Sequence, residues 1–88
     1  KRAVVSVVGK DQVGIIAKVT TVLADNEMNI LDISQTILDD FFTMMMLVDV
    51  SNWKNLEKLQ SQFSQIEKEL GLKISIQLED IFQAMHRV

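Results

Sequence analysis

Apolar residues along this 88-residue chain switch repeatedly between two spacings, and the order of the switches limits the fold more than any single motif does. Val fills both alternations of residues 3–8, which is typical of a central strand covered on both faces. Residues 15–23 repeat Ile, Val and Leu at the spacing of an amphipathic helix. In residues 28–38, Leu and Ile alternate with Asp, Ser and Thr, which predicts a strand with one buried and one polar face.

The second half of the chain repeats this order. Residues 41–50 form a strand that is apolar on both faces, and residues 53–70, from Trp53 onwards, have the spacing of a long amphipathic helix. Residues 74–78 alternate as a one-faced strand, and the apolar residues of 80–88 predict a short terminal helix. A coiled coil is the alternative for the long helix, but a helix lying on a sheet suits its length better.

Local residue types indicate where the two long helices begin and end. Asp11 is placed to cap the first helix by accepting a hydrogen bond from the N–H of Gly14, and Asn26 suits a left-handed residue at its end. For the second helix, Ser51 or Asn52 serves as the cap. Gly71 follows its last apolar residue and should close it.

The order β-α-β-β-α-β predicts an α+β, ferredoxin-like sandwich: a four-stranded antiparallel sheet, two helices on one face and a short C-terminal helix. The first and third strands are then central, as their two apolar faces require. The second strand becomes an edge that carries no Lys or Pro to block pairing. We therefore expect this edge to meet a second copy of the chain in a two-fold homodimer. The tail or the partner would cover the apolar outer face of the third strand.

Composition excludes several classes of function. The chain has no cysteine, which removes disulfides, thiolate metal sites and a cysteine nucleophile, and no cofactor or metal motif is complete. The formal charge of −3 argues against nucleic acid as a partner, and no apolar run reaches the roughly 20 residues of a membrane span. Length and the lack of a linker favour one domain over residues 1–88, and the lack of cysteine and of a targeting segment favours the cytoplasm.

The residues that could catalyse a reaction are scattered. The single histidine, His86, lies in the tail beside Arg87, which favours an exposed side chain. The acidic pairs 39–40 and 79–80 suit turns and helix caps, because adjacent carboxylates point in different directions. Asp, Ser and Thr share one strand face within 32–36 without a general base. We therefore expect no catalytic activity.

RNA binding is another function that this topology suggests. RNA-recognition domains stack bases on aromatic side chains of the two central strands, with basic residues nearby. Here the third strand offers Phe41 and Phe42 without a basic residue, and the first strand has no aromatic residue. The run Met44–Met46 is better explained as filling of a core or an interface.

The turn between the first strand and the first helix, residues 9–14, is the best candidate for a ligand site. A helix start offers unpaired N–H groups and a positive dipole end. Backbone N–H groups of Gln12, Val13 and Gly14 can take a carboxylate, and Asp11 can take an ammonium. Asn29, which opens the edge strand, offers both a donor and an acceptor. If that edge is a dimer seam, Asn29 of one copy can face Asp11 of the other.

Residues 9–19, followed by Asn29-Ile30, resemble the ACT domain, a regulatory module attached to many enzymes of amino-acid metabolism. The resemblance covers nearly the whole chain. It is strongest to stand-alone bacterial ACT proteins of unassigned function, which share the run 29–36 and a C-terminal helix, and extends to the ACT halves of the glycine-cleavage repressor and of formyltetrahydrofolate deformylase. It implies a ligand-binding, regulatory role in ACT pairs.

The resemblance assigns this role to Asp11, Gly14 and Asn29, and the full set of predicted ligand-binding residues is Asp11, Gln12, Val13, Gly14, Asn29 and Ile30. In the family, effector amino acids commonly lie between the first turn of one copy and the second strand of its neighbour. The chain departs from serine-binding members at Gly9 and Asp11, where some have His and Asn. Two functions stay open: a dimeric sensor of a small molecule such as an amino acid, or an interaction module whose partner is an enzyme or a regulator.

Overall fold

Strands and helices alternate through residues 1–50 and 56–85, which are the residues that the computed structural model describes. The four strands form one sheet in the order β2-β3-β1-β4, and every neighbouring pair is antiparallel. This is the ferredoxin-like α+β fold that the sequence predicts, with the short C-terminal helix present. The elements are β1 (Arg2–Lys10), α1 (Ile15–Asp25), β2 (Asn29–Leu38), β3 (Phe41–Asp49), α2 (Leu56–Leu70), β4 (Lys73–Leu78) and α3 (Glu79–Met85).

The core lies between one face of the sheet and the two long helices. β1 and β3 are the central strands, as expected, and each buries alternate residues on this face. Leu59, Phe63 and Ile66 of α2 belong to the same core, so this helix lies on the sheet and does not form a coiled coil. The other core residues are Ala3, Val5, Val7, Ile15, Val19, Val22, Leu23, Phe42, Met44, Met46, Val48, Val50 and Leu72.

The opposite face of the sheet, which we call the outer face, is covered in part by the tail. α3 packs against β1 and β4, and its Phe82 is half-buried beside Val4, Met45 and Leu47. The apolar outer face of β3 is therefore covered at one end from within the chain. Met45 and Phe41 stay 37% and 50% exposed.

The edge strand β2 does not bury the face that its alternation predicts. Ile33 and Ile37 do share the helix side of the sheet, since they pair with the buried Met46 and Phe42. Both nevertheless remain nearly half exposed, and Ile30 is the most protected residue of the strand. The cause is position: β2 is the outermost strand, hydrogen-bonded only to β3, with a register shift between Ile30 and Asp32.

Two of the predicted helix ends are wrong. Gly14, in the left-handed conformation at φ 96°, occupies the N-cap of α1, and no side chain caps this end, so Asp11 is not the cap. At the other end, Asn26 has a φ of −100°, and the left-handed residue is Glu27, one position later. Gly71 does close α2, with a φ of +68°.

Some sequence predictions concern residues outside the described part of the chain: the cap at Ser51 or Asn52, the start of the second helix at Trp53, and the tail residues His86 and Val88. None of the described helices is long and apolar enough to cross a membrane.

Candidate functional site

The loop of residues 11–14 leaves the end of β1 and is fixed first to the β2–β3 turn. The backbone N–H of Asp11 donates to the carbonyl oxygen of Asp40 at 2.6 Å. Asp39, the preceding turn residue, has a φ of 57°, a conformation that Asp tolerates better than most residues. The turn thus holds the loop beside the end of the edge strand, while the Asp11 side chain stays exposed.

Gln12 fixes the same loop to the end of α2. Its Nε2 donates to the carbonyl oxygens of Lys10 at 3.1 Å and Leu70 at 2.8 Å. The sequence predicts Gln12 as a ligand contact, but its amide donors are already engaged in positioning the loop. No local pattern reveals this role, because Leu70 lies 58 residues away along the chain.

The start of α1 presents open backbone donors. The first hydrogen bond of the helix runs from the N–H of Lys18 to the carbonyl of Gly14 at 3.0 Å, so residues 15–17 have no partner within the helix. No side chain caps this end, and no acidic residue lies in the first turn. Val13, beside it, is 98% exposed. The open donors of the helix itself are therefore the N–H groups of residues 15–17, which directly follow the predicted Gln12–Gly14 and can donate to a carboxylate.

Lys18, the nearest basic residue on α1, does not face this site as a free cation. Its Nζ donates to Glu69 Oε1 in the last turns of α2. Together with the contact of Gln12, this pair links the beginning of α1 to the end of α2. No local sequence pattern indicates this pair, because it joins two different helices.

Asn29 and Ile30 lie at the other end of the sheet. Asn29 pairs with Asp49, which pairs with Arg2 at the beginning of β1, whereas the loop follows Lys10 at its end. Eight residue steps along β1 correspond to about 26 Å at ~3.3 Å per residue. Asn29 is exposed, and Ile30 packs partly against the core. One copy of the chain therefore does not bring these two residues to the loop.

No group of three or more His, Cys, Asp or Glu side chains within residues 1–50 and 56–85 is placed to hold a metal ion. What the loop offers instead is an exposed carboxylate beside an uncapped helix start. These are complementary to a small molecule that carries both an ammonium and a carboxylate.

Comparison with known proteins identifies the family. The family model described as the ACT domain matches residues 1–77. A UPF0237 protein of Methanocaldococcus jannaschii is 51% identical over 88 residues, covering 99% of this chain and 98% of its own. The match extends over nearly the full length of both proteins.

Solved structures agree with this assignment. The ACT domain protein from Streptococcus pneumoniae is 42% identical, with a TM-score of 0.78 and coverage of 97% of each chain. A protein assigned as a glycine cleavage system transcriptional repressor has a TM-score of 0.75 at 21% identity, over 86% of this chain and 44% of its own. At that identity the likeness shows the fold alone, but the fold is the same. The chain belongs to the ACT-domain family.

Proposed function

We propose that residues 1–88 act as a single, non-catalytic ACT domain that binds a small molecule of the amino-acid class at the seam of a homodimer in the cytoplasm. Binding would regulate the chain by stabilising the dimer, because a ligand that contacts two copies favours their association. An enzyme or regulator that binds only the liganded dimer would then respond to the concentration of the small molecule.

The observation that carries this proposal is the exposed apolar surface along β2 and the start of α1. Six of the nine exposed large apolar residues in the described part of the chain lie there, and exposed apolar surface of this kind marks an interaction site. They are Val13, Ile16, Leu31, Ile33, Ile37 and Leu38. The strand between them has a neighbouring strand only on its β3 side, so a second β2 can extend the sheet.

A two-fold axis through that edge makes the two β2 strands antiparallel. The beginning of the partner strand then lies beside the end of this one, near Leu38. That end also carries the 11–14 loop, through the bond from Asp11 to Asp40. Asn29, about 26 Å from the loop within its own chain, thereby comes to the loop of the other copy.

The chemistry of each composite site suits an amino acid. The ligand carboxylate would accept hydrogen bonds from the open N–H groups of residues 15–17, and the ammonium would pair with the exposed carboxylate of Asp11. Asn29 of the partner would add an amide donor and acceptor. Ile30 would support Asn29 from the core side, and Gln12 would hold the loop.

Isothermal titration of the dimer with each common amino acid tests the proposal directly. We expect saturable binding of at least one of them, accompanied by a rise in melting temperature. If no amino acid produces heat or a thermal shift, the proposal of amino-acid binding is wrong. The remaining function would then be that of a dimeric interaction module.

Mixing two inactive variants tests whether the site is shared between copies. In a heterodimer of Asp11→Ala with Asn29→Ala, one site carries both substitutions and the other carries neither. We expect each variant alone to lose binding and the mixture to regain about half of the sites of the heterodimer. A site built within one copy would instead remain damaged in every mixture.

A further inference from the structure

A small cavity on the outer face of the sheet, beneath α3, is separate from the loop of residues 11–14. Its volume is about 190 Å³. Its floor is formed by two rows of the sheet, Val4 with Leu47 and Met45 in the next row, and Phe82 of α3 forms one wall. At ~30 Å³ for each water in the liquid, the cavity has room for about six waters.

The rim of the cavity on the β2 side is polar and negatively charged. Asp32 and Ser34 stand there, in register with Leu47 and Met45. One oxygen of Asp32 accepts the N–H of Ile33 at 2.9 Å. Within the described part of the chain, neither a Lys nor an Arg side chain pairs with this carboxylate. Its second oxygen and the Ser34 hydroxyl can therefore receive a cationic donor.

We propose that this cavity binds a small primary ammonium compound with a short apolar tail. The ammonium would donate to Asp32 and Ser34, and the tail would lie between Met45, Leu47 and the ring of Phe82. Because the side chains of Asp32 and Ser34 are both exposed to solvent, we expect the ammonium compound to bind weakly, in the millimolar range, and to bind less well as salt is added.

The lining also selects against a free amino acid. Among residues 1–50 and 56–85, no basic side chain lines the cavity, so a ligand carboxylate would face Asp32 without a compensating cation from these residues. The proposed effector site differs in this respect, because open helix N–H groups there can donate hydrogen bonds to a carboxylate. The two sites also lie apart, one on the outer face of the sheet and the other at the end of β1.

Methyl NMR of the intact protein with n-butylammonium, butyrate and n-butanol tests the proposal. Met45 lines the cavity, whereas its neighbour Met44 is fully buried on the helix side and serves as the internal reference. We expect n-butylammonium to shift the Met45 methyl signal saturably while Met44 stays unchanged. Butyrate should produce no saturable shift, and butanol should bind at least 5-fold more weakly.

Asp32→Asn gives a matched variant, because the Asn side-chain oxygen can still accept the N–H of Ile33. We expect it to weaken n-butylammonium binding 5-fold or more and to leave butanol binding unchanged. Asp25→Asn, at the exposed end of α1, makes the same charge change elsewhere and should have no effect. Equal binding of the three compounds, or equal effects of the two variants, would overturn the proposal without bearing on the effector site.

Discussion

The two edges of the sheet differ in how far the chain itself protects them. β2 has ten residues, and its Leu31, Ile33 and Ile37 are each nearly half exposed. β4 has six residues and begins with Lys73. The N–H of its Ile74 donates to Glu67 Oε2 of α2 at 2.8 Å, so a side chain already occupies that backbone donor.

This difference indicates which edge can take a partner. Short edge strands, charged side chains and occupied backbone donors all oppose strand pairing, and β4 combines the three. β2 has one such contact, from the N–H of Ile33 to Asp32. A partner strand's carbonyl can replace that contact, whereas the length and apolar surface of β2 remain. The contrast therefore favours β2 as the dimer seam.

The largest expected effect comes from placing a charge on the β2 edge. Ile33→Lys removes apolar area from both copies at the seam, at a cost of about 3 kcal/mol per dimer. This corresponds to a roughly 100-fold higher dimer dissociation constant, measured by analytical ultracentrifugation. Ser75→Lys places the same charge on β4, where we expect no change in association. Equal effects of the two substitutions would contradict the contrast between the edges.

The sequence predicts the fold well because the fold depends on periodicity. Alternation in β1 and β3 and the three-to-four spacing of α1 and α2 each report which side of an element meets the core. With two βαβ halves, these patterns leave the ferredoxin-like order as the natural solution, and β2 falls at the edge.

The sequence predicts the candidate site less well because its geometry depends on contacts between distant segments. Asp11 resembles a helix cap, but its backbone bonds to Asp40, and the helix begins only after Gly14. Gln12 resembles a ligand contact, but it bonds to Leu70. No local pattern encodes either partner, since each is set by how the loop packs after folding.

The close contact between Gly9 and the buried Leu72 predicts the next-largest effect. A Cβ on Gly9 would lie 2.6 Å from Leu72 Cδ2 and 3.3 Å from Leu72 Cα. Leu72 is buried, so Gly9→Ala should lower the free energy of unfolding by about 1–3 kcal/mol, measured by urea denaturation. The dimer dissociation constant of the folded protein should stay unchanged. If the free energy of unfolding decreases by less than about 0.5 kcal/mol, Leu72 repacks around the added methyl group at little cost.

The contact of Gln12 with α2 should have a smaller effect on stability. Gln12→Ala removes the hydrogen bonds to Lys10 and Leu70, for which we expect a loss of about 1 kcal/mol. If Gln12 positions the loop, the variant should also speed hydrogen exchange of the amides in residues 11–14. Gln65→Ala, on the exposed face of α2, is the control and should change neither quantity. Unchanged exchange in Gln12→Ala would show that the loop holds its position without this side chain.

The smallest effect on stability is expected at Asp11, and it separates a structural from a ligand-binding role. A residue that caps a helix costs about 1 kcal/mol when replaced by Ala. Since the Asp11 side chain caps nothing here, Asp11→Ala should change the free energy of unfolding by less than about 0.5 kcal/mol. The same variant should abolish the amino-acid binding that titration detects in the unmodified dimer. If Asp11→Ala instead lowers the free energy of unfolding by about 1 kcal/mol and still binds the amino acid, Asp11 has a structural role. The effector site would then have no acidic residue.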